Sequence, residues 1–297
     1  DYIPGSNGNP GSRTKQNVGN GYVMQTVEII PDRLTLVGGL TYSNIETFTD
    51  TNLAVRNPYT GTDSVATEFL HRYGAVWSVT KSLSAYYSES TTFNPAVGVQ
   101  YDNSPLPSLL GKSQELGVKT SFWDGKLSLS LAAYKMELTN QAILAAFPAL
   151  NVAGLNYYIP IGTTDSKGWD ASFTYNPIAG LQIVGTAYKG KVHDQNGNPI
   201  QATVENSWSV FTRYDFAREG FLKGVAIGGG AYKSGGKWFT MSGMVLPGGA
   251  PLPKNSSGNS IFKLKQEVML NLFTSYQLNK HWSFRVNCSN VLDERFP

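Results

Sequence analysis

Tight turns and long polar connections alternate strictly along this chain, and they separate about a dozen segments in which apolar and polar residues alternate. The tight turns are expected at Pro31-Asp32, Lys81, Trp123–Lys126, Asn176–Gly180, Ala217–Gly220 and Asn279-Lys280. The long connections are expected at residues 45–68, 94–112, 139–166, 192–205 and 233–265. Because period-two alternation predicts β-strands, an antiparallel sheet would have all its tight turns at one end and all its long connections at the other.

This one-sided distribution of loops is typical of bacterial outer-membrane β-barrels, whereas a soluble β-sandwich has no reason to adopt it. No repeat with a period of 20–50 residues is visible, which argues against an adhesin repeat array. Charged residues make up only 15% of the chain, against roughly 25% in soluble domains. No apolar run of about 18 residues is present, which argues against a helical membrane span. The predicted fold class is therefore all-β, an antiparallel transmembrane β-barrel.

The two faces of the predicted strands differ in polarity, as the wall of such a barrel requires. In the segment 207–216, one face carries Trp208, Val210, Thr212, Tyr214 and Phe216, and the other carries Ser207, Ser209, Arg213 and Asp215. Trp208 and Phe216 would lie roughly 20 Å apart along the barrel axis, close to the ~25 Å apolar band between two aromatic girdles. Glu115 and Lys119 share the polar face of their segment, where they either pair inside a hydrated lumen or only solvate the strand end.

Twelve strands are predicted, at about residues 21–30, 33–44, 69–79, 83–93, 113–122, 127–138, 167–175, 181–191, 206–216, 222–232, 266–278 and 282–290. The polar stretch 5–20 would be the end of a long loop, so the first strand descends towards the periplasm and the last one ascends. In a barrel with both ends in the periplasm, even-numbered strands descend, so at least one strand is missing from each end. We therefore expect residues 1–297 to be an interior part of a longer protein.

Four runs of sequence resemble the C-terminal half of the barrel of TonB-dependent outer-membrane receptors, and most of all the siderophore-receptor branch. They are Asp32–Tyr42; Gly111–Lys119 with Trp123–Leu127 and Ala132–Tyr134; Gly168–Phe173 with Asn176-Pro177 and Gly180-Leu181; and Tyr276–Asn279 with Trp282, Asn287 and Asn290–Asp293. Leu292 and Phe296 replace the commoner aromatics of the last run, and Leu40-Thr41 stands where the first usually has an arginine. Each run alone is a weak signal, but their order and spacing together span nearly the whole chain.

The resemblance implies a 22-strand barrel around an N-terminal plug domain. Residues 1–297 would then be a partial barrel of about 12 of those strands, with the plug and the last strand outside the chain. It also implies active transport of a ferric siderophore across the outer membrane, energised by the TonB-ExbB-ExbD complex through a region upstream of this chain. Two alternatives stay open: a passive porin-like barrel, and a TonB-dependent receptor for haem, cobalamin or an oligosaccharide.

The expected partners follow from this resemblance and from composition. The ferric siderophore is the transported ligand, and no covalently bound cofactor is expected. Outer-membrane lipid and lipopolysaccharide would surround the barrel. The net charge of +3 is too small to indicate binding of nucleic acid.

Candidate ligand-binding residues lie in the long connections, where aromatic rings could stack on a ligand and cations could attract an anionic ferric complex. They are Arg56, Tyr59, Tyr101, Phe147, Tyr157, Tyr158, Trp238 and Phe239, with Lys233 and Lys237 as further cations. The simpler explanation is that such aromatics belong to the girdle and that such lysines meet lipopolysaccharide or solvent. The connection 233–265 is rich in Gly, Ser and Pro, so it should be poor in regular structure and could be a lid or a variable exposed surface.

No catalytic or metal-binding constellation is apparent, so an enzyme is not expected. His71, His193 and His281 are far apart in sequence, and the single cysteine, Cys288, cannot form an intrachain disulfide. The triplet Gly228–Gly230 lies inside a predicted strand rather than before a helix, so it is not a phosphate-binding loop.

Overall fold

The computed structural model describes residues 13–50, 61–96, 100, 106–144, 158–200, 203–216, 219–241, 252, 260–264 and 268–295. These residues form fourteen β-strands joined by turns and irregular segments. Within them, no helix is long and apolar enough to cross a lipid bilayer. The predicted all-β class is confirmed.

Twelve of the strands form one antiparallel sheet in the order β1-β2-β3-β4-β5-β6-β7-β8-β9-β10-β13-β14, and β11 pairs with β12. The strands are β1 Arg13–Ile30, β2 Leu34–Asp50, β3 Gly61–Ser78, β4 Leu83–Asn94, β5 Leu109–Phe122, β6 Leu127–Leu144, β7 Tyr158–Tyr175, β8 Leu181–Asp194, β9 Asn206–Asp215, β10 Val225–Ser234, β11 Trp238–Met241, β12 Ser260–Lys263, β13 Met269–Gln277 and β14 Ser283–Cys288. The twelve strands of the large sheet correspond one to one with the twelve predicted from the sequence.

The strand register separates an apolar face from a polar face. On the apolar face, directly opposite residues of β5 to β9 form the row Val118, Leu131, Ala171, Ala187 and Trp208. On the polar face, the adjacent row is Lys119, Ser130, Ser172, Thr186 and Ser209. Successive side chains of a strand point to opposite sides of the sheet, so the alternation read from the sequence sorts these residues correctly.

Large hydrophobic side chains of the apolar face are exposed rather than packed into a core. Leu131 is 50% exposed, Trp77 55% and Val286 66%. The buried hydrophobic side chains of the described residues include Ala132 and Ala226, both on the polar face. A monomeric soluble protein rarely exposes so large an apolar patch, whereas the outer wall of a membrane barrel presents such a band to lipid.

Five of the six tight turns form where the sequence predicts them. Of the sixth, Ala217–Gly220, residues 217 and 218 lie outside the described residues, and its described part continues to Gly224. Trp123 and Asp124 both have positive φ, at 55° and 54°, and the N–H of Lys126 donates to the carbonyl of Trp123 at 3.1 Å. Consecutive residues with positive φ match the twist of the flanking strands. In the last turn, the side-chain oxygen of Asn279 accepts hydrogen bonds from the N–H groups of His281 and Trp282 at 2.8 and 3.0 Å.

At the end opposite these turns, β1 to β8 are longer than predicted. β1 begins at Arg13 within the expected loop 5–20, β2 and β3 extend into the expected loop 45–68, and β6 and β7 extend into 139–166. Alternation of polarity marks only the part of a strand whose two faces meet different surroundings. Beyond the apolar band both faces meet water, so the alternation fades while the backbone ladder continues.

The connection 233–265 also contains regular structure, contrary to the prediction. β11 and β12 continue the β10–β13 hairpin in an unchanged register, because Tyr232 lies opposite Met269 and Trp238 lies opposite Lys263. The interruption falls at Gly235 and Gly236, which carry no side chain to stabilise the pleat. The Gly, Ser and Pro content of the whole segment therefore obscured two short strands at its ends.

The first and last strands are edges of the sheet. Within the described residues, β1 is hydrogen-bonded only to β2, and β14 only to β13. Every residue of β1 and β14 is exposed. The sheet is thus an open, partial barrel wall, as expected.

Candidate ligand-binding vestibule

Three of the eight candidate ligand-binding residues fall within the described chain. Trp238 and Phe239 begin β11. The sequence predicts Tyr158 in a loop, but it is the first residue of β7 and lies opposite Leu144. The other five lie outside the described residues: Arg56, Tyr59, Tyr101, Phe147 and Tyr157.

The two lysines named as additional cations are also described. Lys233 is in β10, opposite Trp208 of β9. Lys237 forms an isolated β-bridge with Val204, and its carbonyl accepts a hydrogen bond from the N–H of Leu264 at 3.0 Å. Lys237 thus joins β11 to the segment before β9 and to the end of β12.

The carboxylate of Glu205, just before β9, is hydrogen-bonded to both strands of the β11–β12 ladder. The indole N–H of Trp238 donates to Oε1 of Glu205 at 3.0 Å, and Nζ of Lys263 donates to Oε2 of the same carboxylate at 2.6 Å. Lys263 also lies over the Trp238 ring, with its Nζ 5.3 Å from the ring centroid. Both carboxylate oxygens are thereby occupied, which holds three segments from different parts of the chain together.

The electrostatics of this contact follow from the charge beside Glu205. The hydrogen bond from Lys263 lowers the pKa of Glu205 below its ordinary value of 4.5, partial burial opposes that shift, and the hydrogen bond from Trp238 adds to it. The carboxylate is therefore ionised at neutral pH and remains a charged acceptor.

The other side of the ladder is aromatic. Phe239 lies opposite Phe262, and their rings stack with centroids 6.1 Å apart and an interplanar angle of 24°. Since the register is unchanged from β10, Trp238 shares the polar face with Tyr232, and Phe239 lies on the opposite side. Of the two predicted aromatics, Trp238 is thus the one aligned with the polar face.

Further along the polar face, Tyr86 and Tyr134 lie over glycines of neighbouring strands, and Tyr188 lies over a glycine of its own strand. The hydroxyl of Tyr134 donates to that of Tyr188 at 2.9 Å, with the rings stacked at 6.3 Å. A Cβ on Gly190 would be 2.4 Å from the Tyr134 hydroxyl, and one on Gly117 would be 2.5 Å from the ring of Tyr86. The glycines therefore give the rings room to lie flat on the sheet.

Glu115 and Lys119 do share the polar face, as predicted, but each contacts Tyr86 rather than the other. The Tyr86 hydroxyl donates to Oε1 of Glu115 at 2.5 Å, and Nζ of Lys119 is 5.1 Å from the ring centroid. Both lie well inside β5, so they are not merely solvating the end of the strand. Sequence reasoning missed Tyr86 and Tyr188, because their contacts with Gly117 and Tyr134 cross between strands and are recognisable only once the register is known.

Near the tight-turn end, the polar face carries a second aromatic and cationic group. Phe211 and Phe273 stack at 5.7 Å, and the guanidinium carbon of Arg285 lies 4.6 Å from the Phe273 centroid. These residues help to line a concave region of about 540 Å³. The polar face thus offers hydrogen-bonding, aromatic and charged groups along its whole length.

The chemistry offered by the described residues is that of recognition. Stacking rings, tyrosine hydroxyls and paired charges can hold a polar ligand through many weak contacts. In the described part of the chain, no group of three His, Cys, Asp or Glu side chains could hold a metal ion. A metal carried by a ligand would need its coordination sphere from that ligand.

Comparison with known proteins gives a consistent result. A family model described as TonB dependent receptor-like, beta-barrel matches residues 1–291. The ferric-pyoverdine BN7/BN8 receptor of Pseudomonas putida is 29% identical over 231 residues, covering 77% of this chain and 25% of that protein. The ferrioxamine B receptor of Salmonella typhimurium is 25% identical over 155 residues, covering 50% of this chain and 21% of that protein.

Solved structures share the fold. The siderophore receptor PiuA from Acinetobacter baumannii superposes with a TM-score of 0.75 at 16% identity, over 96% of this chain and 40% of that one. FpvAI in complex with pyocin S2 superposes with a TM-score of 0.69 at 19% identity, over 96% of this chain and 44% of that one. The chain spans about a quarter of the length of the curated relatives it matches.

Proposed function

Because this chain belongs to the family of TonB dependent receptor-like β-barrels, we propose that it forms part of the wall of an outer-membrane receptor that takes up a ferric siderophore. The observation that carries the proposal is the division of the sheet into an exposed apolar face and a polar face of hydroxyls, tyrosines and paired charges. A membrane barrel with a hydrated or plugged lumen needs this division. The siderophore is supported by relatives named as receptors for ferric pyoverdine and ferrioxamine B.

The ligand would meet the polar face at the end with the long connections. Trp238 offers an indole ring for stacking, and Lys263 beside it offers a cation whose charge is shared with Glu205. Arg56, Tyr59, Tyr101, Phe147, Tyr157 and Tyr158 remain proposed contacts from the same end of the barrel. Because the siderophore itself encloses the iron, the receptor needs no metal ligands of its own.

Energy is needed because a tightly held ligand leaves its site slowly. In this proposal the TonB-ExbB-ExbD complex supplies that energy through a part of the receptor outside this chain. A passive porin would instead use an open lumen without tight binding, and no feature of the described residues favours that alternative.

Binding to the purified full-length receptor tests the ligand class. Quenching of tryptophan fluorescence would be followed as ferric pyoverdine, ferrioxamine B and their iron-free forms are added. The proposal predicts saturable binding of at least one ferric complex, weakened by Trp238→Ala but not by Trp282→Ala in the tight turn at the other end. Absence of saturable binding for every ferric siderophore tried, with binding of haem or cobalamin instead, would replace the siderophore by another ligand.

A further inference from the structure

The glycines of β10 allow two phenylalanine rings to meet on the polar face of the sheet. Phe273 of β13 lies directly opposite Gly228, and Phe211 of β9 lies directly opposite Gly230. A Cβ on Gly228 would overlap the Phe273 ring, and a Cβ on Gly230 would be 3.1 Å from the Phe211 ring. Because neither glycine has a side chain, the two rings stack across β10 with their centroids 5.7 Å apart and their planes 4° from parallel. These two rings over Gly228 and Gly230 form an aromatic platform.

One of the two arginines beside the platform carries a charge that no carboxylate balances. The guanidinium carbon of Arg285 lies 4.6 Å from the Phe273 centroid, and its Nε donates to Oδ1 of Asn287 at 3.0 Å. Arg213 is 6.0 Å from the same centroid, but it donates to both carboxylate oxygens of Asp215, at 2.8 and 2.6 Å. Within the described residues, the exposed Arg285 forms no ion pair. Its positive charge is therefore available to an anion.

The platform and Arg285 line a concave region of about 540 Å³, which is within the usual range for small-molecule sites. The Phe211 ring is 41% exposed. Polar side chains surround the rings, namely Ser209, Tyr232, Asn271 and Asn287. An exposed ring, a cation and hydrogen-bonding groups together can hold an anion that carries a flat conjugated group.

The depth of this region in the barrel follows from the other face of the same strands. Val210 of β9, Leu272 of β13 and Val286 of β14 lie on the apolar face and are 39%, 46% and 66% exposed. The platform therefore lies on the lumen side of the apolar band. Trp238 follows Gly230 by eight residues along the same hairpin, which places the vestibule roughly 20 Å from the platform along the barrel axis. The concave region thus lies between the vestibule and the tight-turn end.

Another ring of the polar face is already engaged by charged groups of the wall itself. The Tyr86 hydroxyl donates to Oε1 of Glu115, and Nζ of Lys119 lies over the Tyr86 ring. At the platform, by contrast, Phe211 offers an exposed ring and Arg285 offers an unbalanced charge. A cation in a lumen of low dielectric is stabilised when an anion binds beside it. The platform therefore suits an anionic molecule that comes from outside the wall.

We infer that Phe211, Phe273 and Arg285 form a second, deeper site for the transported ligand, and that this site takes an anionic ferric complex. The inference rests on the proposed uptake of a ferric siderophore. Negatively charged oxygen atoms enclose the iron in such a complex, so they can accept hydrogen bonds from the guanidinium. Flat conjugated groups of the siderophore can lie against the Phe211 ring. The ligand leaves the vestibule, binds here and then continues towards the tight-turn end.

Iron uptake by cells separates the deeper site from the vestibule. Full-length receptor with Arg285→Gln is compared with wild type and with the control Arg33→Gln, which removes an exposed arginine at a tight turn. A charge-assisted contact changes an equilibrium about ten-fold, so the maximal rate of uptake from ferric pyoverdine should fall about ten-fold in Arg285→Gln but not in the control. Arg285→Lys keeps the charge and should recover most of the rate. Binding of ferric pyoverdine to the purified receptor should be equal in all variants, because the vestibule is unchanged.

Photo-cross-linking during uptake identifies the molecule that reaches the platform. A photoreactive phenylalanine analogue replaces Phe211 in the full-length receptor, and cells are illuminated while they take up ferric pyoverdine. In cells with a functional TonB-ExbB-ExbD complex, mass spectrometry should show the siderophore attached to the receptor. The same analogue at Phe284, which is on the apolar face of β14 and 55% exposed, is the matched control and should attach no siderophore. Attachment to the plug domain alone, or no attachment at position 211, would overturn the inference.

The outcomes separate this inference from the proposed function on which it rests. Absence of both binding and uptake of ferric pyoverdine in the wild type would contradict the proposed function for this siderophore, and the deeper site with it. Normal binding together with a normal maximal rate in Arg285→Gln would contradict the deeper site alone. Heat-modifiable migration of each variant shows whether the barrel has folded. If Arg285→Gln does not fold, the cross-linking at position 211, which keeps Arg285, decides the question.

Discussion

Glu205 and Trp238 are 33 positions apart in sequence, yet the indole N–H of Trp238 donates to the Glu205 carboxylate at 3.0 Å. With Lys263 on the other carboxylate oxygen at 2.6 Å, this contact fastens the far end of the β10–β13 hairpin to the start of β9. A charged contact beyond the apolar band thus shapes the end of the sheet that carries the long connections.

Neutralising Glu205 should loosen this hairpin. Glu205→Gln keeps the shape of the side chain but removes a charge-assisted hydrogen bond, which typically contributes about 1.5–3 kcal/mol. Because Glu205 and Lys263 are partly exposed, solvent screening reduces this to about 1 kcal/mol. Amide hydrogen exchange in β11 and β12 should therefore be about five-fold faster than in wild type, while Glu219→Gln at a tight turn should leave it unchanged. Unchanged exchange in Glu205→Gln would show that the contact does not hold the ladder.

The same contact should depend on pH. The pKa of Glu205 is lowered in the folded protein, chiefly by the hydrogen bond from Lys263, so its stabilising effect is fully present above the ordinary value of 4.5. It is lost as the pH falls below that value and through the lowered folded pKa. Protection of β11 and β12 amides should drop over this acidic range in wild type but not in Glu205→Gln. A loss centred above the ordinary glutamate pKa would indicate a different group.

Gly168 should tolerate no side chain. A Cβ there would be 2.3 Å from the carbonyl oxygen of Lys189 and 2.6 Å from the Cα of Gly190, so the backbone itself must move. We expect Gly168→Ala to destabilise the barrel by about 1–3 kcal/mol, measured as a lower urea midpoint of the full-length receptor. The control is Gly38→Ala, because a Cβ on Gly38 would meet nothing within 4 Å. Equal midpoints for the two variants would contradict the close packing of β7 against β8.

Residues 1–297 alone should not form a stable pore. β1 and β14 each have one hydrogen-bonded neighbour within the described residues, and in lipid every unpaired backbone group costs several kcal/mol. Refolding the fragment into detergent or lipid should give aggregated or heat-labile material. A monodisperse, heat-resistant and conducting species would disprove this expectation.

Much of the fold could be predicted because each strand of a membrane barrel alternates apolar and polar residues, and this pattern is visible within a single segment of sequence. Leu127, Leu129 and Leu131 alternate with serines, so the face of the sheet on which each side chain lies can be assigned without knowing the neighbouring strands. The turn from Trp123 to Lys126 is equally local. The strand ends beyond the apolar band show no such alternation, so the sequence did not predict the continuation of β6 to Leu144.

The sites were harder to predict because they depend on register. Tyr134 and Tyr188 are far apart in sequence and become neighbours only when β6, β7 and β8 are aligned. The contact of Trp238 with Glu205 likewise joins two segments that no sequence period relates. Trp238 was identified from its residue type and its place in a long connection, but its partner was not.

Uptake of radioactive iron by cells carrying the full-length receptor shows directly whether this barrel is an energised siderophore transporter. Cells would be supplied with a ferric siderophore that the purified receptor binds, in matched strains with and without a functional TonB-ExbB-ExbD complex. Iron should accumulate against its gradient in the first strain, whereas the second strain should show surface binding without accumulation. Equal accumulation in both strains would contradict this expectation, because the barrel would then conduct passively.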